Sequence, residues 1–161
     1  MRDARDGCCR AATTIESVRY RREIEVTRNA GAVFDYLADF SNAAEWDPGV
    51  DEARRLTPAP TQVGSVFEVI AGFRGKQQRF EYVVTEYEEG RRVVLHGEGA
   101  KARSVDVITV SGSDGSARIA YEADIRLKGV YRMAEPFLRS TFRRMGDDAL
   151  DGLGAVLGRA E

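Results

Sequence analysis

A chain of 161 residues with 43% hydrophobic and 31% charged residues is long enough to bury roughly 70% of its unfolded surface in one domain, and short for two. Its formal net charge of -2, with acids and arginines interleaved, excludes a surface that attracts nucleic acid as a whole, so no nucleic-acid partner is expected and any charge preference must be local. No apolar run reaches the roughly 18 residues of a membrane span.

The first stretch, MRDARDGCCRAATTIES, is polar and aperiodic and lacks the apolar segment of a secretory signal. It reads as a flexible leader over residues 1–17, ahead of a single domain over 18–161. Cys8 and Cys9 are adjacent, so they cannot clip distant segments together, and they show no metal-ligand spacing. A reducing, cytoplasmic location is the corresponding expectation.

From Val18 the pattern alternates. Val18, Tyr20, Ile24 and Val26 take one side and Arg19, Arg21, Glu23 and Glu25 the other, with Arg22 as an intruder on the apolar side, which predicts a half-buried strand. Asn29 can cap a short amphipathic helix carrying Val33, Phe34, Leu37 and Ala38. Ser41 can cap a second short turn, NAAEW, ended by Pro48 and Gly49. Six strand-like runs follow, at about 50–57, 64–71, 76–87, 91–98, 103–111 and 117–128. They are separated by TPAPTQVG, AGFRGK, EEGR, GEGAKA and SGSDGS, all rich in turn residues, and they predict an antiparallel meander. In the last of them Ile119, Tyr121, Ala123, Ile125 and Leu127 form one dry face. A helix over about 134–159 closes the chain, with Pro136 in its first turn. Phe137, Leu138, Phe142, Met145, Ala149, Leu153 and Val156 follow a 3.6-residue period, the cover that a one-sided sheet requires.

The chemistry-bearing residues are sparse. His96 is the chain's single histidine, which excludes a multi-histidine metal site, and its place in a strand reads as surface or edge. Glu68 and Asp106 are candidate acids, but with Phe67, Val69, Val105 and Val107 facing inward both carboxylates face water. No serine sits in a nucleophile elbow and no glycine-rich phosphate loop joins a strand to a helix. No metal and no cofactor is expected. The polar and aromatic residues left on inward faces are Arg22, Gln78, Phe80, Tyr82 and Tyr121. Alternate turns of a meander lie at opposite ends of the sheet, so AGFRGK, GEGAKA and LKGVYR share one end. That end gathers Phe73, Arg74, Lys76, Lys101, Arg103, Lys128, Tyr131 and Arg132 against Glu98.

The order of one strand, paired short helices ending in EWDPGV, a GSVFEV strand after a turn, further strands and a long helix resembles the START-related (SRPBCC) superfamily, in particular its bacterial polyketide cyclase/dehydrase-like branch. The resemblance covers about residues 18–158. It implies an α+β helix-grip fold, a curved antiparallel sheet of about seven strands wrapped around the C-terminal helix, with a deep cavity between them. Arg22, Gln78, Phe80, Tyr82, Tyr121, Phe137 and Phe142 are then the cavity candidates, and Phe73, Arg74, Lys76, Lys101, Arg103, Lys128 and Arg132 the mouth. Trp46 would close the far end of the grip as a core residue. Three functions stay open at this point. One is a carrier or sensor of a small hydrophobic molecule whose anionic or polar head is drawn in by the positive rim. The second is a cyclase or dehydratase acting on a carbonyl substrate, which needs an inward acid or base. The third is a module binding a macromolecule through the rim or the long helix.

Overall fold

The computed structural model describes residues 17–158; Cys8, Cys9 and nearly all of the expected leader lie outside them. Strands β1 (Val18–Val26), β2 (Val50–Arg55), β3 (Val66–Phe73), β4 (Lys76–Glu88), β5 (Arg92–Gly99), β6 (Ala102–Gly112) and β7 (Ala117–Leu127) form one antiparallel sheet in the order β1-β7-β6-β5-β4-β3-β2. β2 to β7 pair with their neighbours in the chain. Only β1 joins from a distance, from Val18↔Ile125 to Val26↔Ala117. Helix α1 (Ala30–Ala38), a 3-10 turn (Phe40–Asn42) and α2 (Ala43–Trp46) connect the two edge strands, and a 3-10 segment (Gly129–Ala134) leads into α3 (Glu135–Leu157). The curled sheet grips α3, the arrangement that the resemblance implies. No helix among the described residues is long and apolar enough to cross a membrane.

Local chemistry accounts for the boundaries. The Asn29 side chain accepts a hydrogen bond from the Ala32 N–H at 2.9 Å and so caps α1. The second turn differs from expectation: Ser41 does not cap α2, whose N-cap residue Asn42 makes no side-chain cap hydrogen bond, and Asp39 instead caps the preceding 3-10 turn, accepting from the Ser41 N–H at 3.2 Å. The β3–β4 turn is tighter than the AGFRGK break suggests. Ala71, Gly72 and Phe73 remain in β3, Phe73 pairs with Lys76, and Arg74 and Gly75 make the whole turn with φ of 51° and 75°, the left-handed conformations that a two-residue hairpin demands.

The core fills the end of the sheet nearest α1, where Phe34, Leu37, Phe67, Leu95, Ile108, Ile119, Leu150 and Leu153 are fully buried. Trp46 is 3% exposed and meets Phe40 and Tyr121 edge-on, with ring centroids 6.4 and 6.1 Å apart. The helix comes close here because position 152 is glycine: a Cβ there would stand 2.1 Å from the Trp46 carbonyl oxygen. The buried face of α3 is rotated from the predicted stripe. Leu138, Ala149, Leu150, Leu153, Gly154 and Leu157 are buried, whereas Phe137 and Val156 are exposed. One residue along a helix turns the side chain by about 100°, so Leu138 and Phe137 cannot share the covered face.

Candidate functional site

Away from that core, sheet and helix separate and enclose a cavity of about 540 Å³. Its walls come from the inward residues of β3, β4, β6 and β7, among them Val69, Gln78, Phe80, Tyr82, Tyr121 and Ile125, and from Leu138, Phe142, Met145 and Ala149 of α3. The helical set is spaced four, three and four residues apart, a single face.

The sheet register explains how a polar group enters this wall. Across β6 and β7, Ser104 pairs with Ile125, Asp106 with Ala123 and Ile108 with Tyr121, and directly paired residues share a face. Since Ile125, Ala123 and Tyr121 point inward, so must Ser104, Asp106 and Ile108. Asp106 is 3% exposed. The expectation that Val105 and Val107 face inward and Asp106 faces water is therefore reversed. Glu68 does lie on the outer face, opposite Arg54 and Glu81, but it is buried beneath the Arg54 and Arg79 guanidiniums. Burial alone would push its carboxyl up; the two guanidiniums prevail and hold it below the usual range.

Tyr82 reaches Asp106 because β5 lacks a side chain opposite it, and the Phe80 ring uses a second gap of the same kind. Phe80 pairs with Gly99 and Tyr82 with Gly97, and a Cβ on either glycine would stand within 2.7 or 2.5 Å of the facing ring. The Tyr82 ring thus lies across β5 toward β6. Around the Asp106 carboxyl are the Ser104 hydroxyl, which donates to Oδ1 at 2.6 Å, and the phenols of Tyr82 and Tyr121. Asp47, in the turn after α2, also lines the cavity; its Oδ1 accepts from the Gly49 N–H at 2.8 Å.

Burial dominates the electrostatics of this cluster. It pushes Asp106 up to about 6 against the hydrogen bonds from Ser104, Tyr82 and Tyr121, and the Asp47 charge raises it further. Burial likewise pushes Asp47 to about 6, against the hydrogen bond from Gly49. Tyr82 and Tyr121 are held well above the ordinary phenol range by burial and then by the Asp106 charge. Both are neutral donors at physiological pH. The cations that line the cavity, Arg74, Lys76 and Lys101, belong to the turns at its mouth, so the wall has an acidic depth and a basic entrance.

Of the residues expected in the cavity, Gln78, Phe80, Tyr82, Tyr121 and Phe142 line it and Arg22 and Phe137 do not. Arg22 is on the inward side of β1, paired with Tyr121, but it is drawn to the edge of α3. There it donates to the Asp147 carbonyl at 3.1 Å and to Asp151 Oδ1 at 2.9 Å. Phe137 is 82% exposed for the rotational reason given above. Of the expected mouth residues, Phe73, Arg74, Lys76 and Lys101 line the cavity. Arg103 and Lys128 turn aside to Glu98, and Arg132 is exposed outside the lining. The mouth is bridged twice between sheet and helix side: Phe73 stacks on Phe142 with centroids 5.5 Å apart and planes 11° apart, and Lys101 lies 5.2 Å above the Tyr131 ring.

Comparison with known proteins gives the following. A family model described as polyketide cyclase / dehydrase and lipid transport matches residues 17–158. A search of curated proteins found no match. Among solved structures, the chain is similar to a START superfamily protein from Mycobacterium smegmatis, with 12% identity, a TM-score of 0.73 and coverage of 88% of this chain and 97% of the other. It is similar to a protein from Thermus thermophilus, with 14% identity, a TM-score of 0.70 and coverage of 84% and 93%. It is also similar to the ZhuI aromatase/cyclase from Streptomyces sp. R1128, with 10% identity, a TM-score of 0.63 and coverage of 89% and 98%. At these identities the likeness extends to the fold.

Proposed function

Because the chain belongs to the polyketide cyclase / dehydrase and lipid transport family, we propose that its cavity binds a small, largely apolar molecule bearing a carbonyl or enol oxygen and moves a proton on it, in the manner of a cyclase or dehydratase. The observation that carries this reading is the inward Asp106 carboxyl with Tyr82 and Tyr121 beside it. A carrier needs an apolar lining and a polar anchor; it does not need an acid held near neutrality. A group with a pKa near the working pH is efficient at both accepting and donating a proton. In the ionised form Asp106 takes a proton from carbon next to the substrate carbonyl. The electron pair moves to the carbonyl oxygen, where the neutral phenols donate hydrogen bonds to the developing enolate. The protonated carboxyl then returns the proton to carbon, or delivers it to a departing hydroxyl, which leaves as water.

The test uses an aryl 1,3-diketone as probe. Binding is followed by quenching of Trp46 emission, and proton exchange at the central carbon by NMR in deuterated water. The reading expects bound probe to exchange faster than free probe, with a rate that rises through about pH 6, and Asp106→Asn to retain binding while losing the acceleration. Binding with no acceleration in the wild-type protein would instead support the carrier reading.

A further inference from the structure

The segment leading into α3 is apolar on two sides. Tyr131, Ala134 and Leu138 line the cavity, which accounts for one face. Val130, Met133 and Phe137 each precede one of these by a single residue and turn away from it; they are 77%, 82% and 82% exposed. Spacings of three and then four residues place them along one side. Packing does not require these large apolar side chains, since they cover nothing within the described residues, and a cluster of this kind marks an interaction surface.

The surrounding charge is predominantly positive, although the chain as a whole is at -2. Arg74, Lys76, Lys101, Arg103, Lys128 and Arg132 come from the turns at this end, and the acids beside them are already engaged. Glu98 binds Arg103 and Lys128. Glu135 is buried and accepts from the Leu127 N–H at 2.8 Å, and Asp51 accepts from Gln77 at 3.3 Å. Arg74, Lys76 and Arg132 have no ion-pair partner among the described residues.

We infer that this end of the molecule docks on a bilayer surface carrying anionic headgroups, with Val130, Met133 and Phe137 entering the interface and the free cations meeting the headgroups. Large apolar side chains next to basic ones are what such a surface holds. A second copy of the chain fits less well, because a two-fold contact would oppose the same excess of cations to itself. Docked in this way, the cavity mouth faces lipid.

The experiment is sedimentation of the full chain with vesicles of phosphatidylcholine alone and of phosphatidylcholine mixed with phosphatidylglycerol. The protein is expected to sediment with the mixed vesicles, less with the neutral ones, and less as salt is added. The double variant Met133→Ser/Phe137→Ser and the triple variant Arg74→Glu/Lys76→Glu/Arg132→Glu should each lower the partition coefficient about tenfold or more, since each basic residue near an anionic surface contributes roughly fivefold. Thermal unfolding like that of the wild type establishes that both variants are folded. Met133→Trp should shift its emission to the blue on mixed vesicles, above the constant signal of buried Trp46. No sedimentation with either vesicle, equal and salt-insensitive uptake by both, or unchanged uptake of folded variants would overturn the inference. So would a dimer in solution that the serine variant disperses, which would assign the face to a second copy.

Discussion

Replacing Asp106 by Asn removes a charge from the cavity wall and keeps an oxygen able to accept the Ser104 hydroxyl. Burial raises this carboxyl from an ordinary value near 3.8 to about 6. An acid whose folded-state pKa lies above its unfolded value opposes folding wherever it is ionised. The cost is absent below about pH 4, grows between about pH 4 and 6, and is complete above that range. The separation between the two values corresponds to roughly 3 kcal/mol. Asn escapes this cost but lacks the carboxylate's hold on the two phenols. At pH 7.5 Asp106→Asn should therefore be about 1–3 kcal/mol more stable than the wild type, with a melting temperature about 2–10 °C higher for a chain of this size. Near pH 4 the advantage should vanish. Urea unfolding of both proteins across this range measures the difference directly. A variant destabilised by the same amount at every pH would refute the reasoning, because it would make Asp106 an ordinary structural hydrogen-bonding residue whose ionisation does not matter to the fold.

Trp46→Ala should cost about 3–5 kcal/mol through the cavity left between Phe40, Tyr121 and the α3 backbone, and the wild-type emission should be blue-shifted; urea titration and fluorescence check both. Gly97→Ala places a methyl group where the Tyr82 ring lies and should destabilise by about 1–3 kcal/mol, while displacing that ring enough to weaken binding of an apolar dye. Phe142→Trp should reduce dye binding by narrowing the cavity, whereas Phe137→Trp should leave it unchanged; equal effects in the dye titration would contradict the orientation of α3.

The fold was legible where alternation was strong and turns were sharp. β7 reads directly from Ile119 to Leu127, and Gly and Asp mark the turns. The site was less so, for a physical reason: β6 carries Val105 and Val107 on one side and Ser104 and Asp106 on the other, and hydrophobicity alone assigns the wrong side to the core. The signal that corrects it is the SGSDGS hairpin, which pairs Gly112 with Ala117 and thereby sets Asp106 opposite inward Ala123. Asp47 carried no such local signal. Its burial arises from α2 folding beneath α3, a contact between residues that are far apart in the chain. Phe137 and Leu138 both belong to an apolar run, and only the start of the helix, fixed by Glu135 and Pro136, decides which one is covered.

The pairing of β1 with β7 sets an order on how the molecule can be made. β2 and β3 are joined by residues 56–65 and each later strand meets its predecessor across four residues or fewer, so the hairpins can assemble progressively as the chain is synthesised. β1 has no partner until residues 117–125 exist, and α3 comes later still. Until β7 is made the growing sheet ends in an unpaired edge, and until α3 follows its inner face, with Phe67, Tyr82, Leu95 and Ile108, is an open greasy trough, the kind of species that aggregates or is held by chaperones. Truncation before α3 would hold the chain in that condition permanently, so the segment that roofs the cavity also sets when nascent chains become safe in a crowded solution.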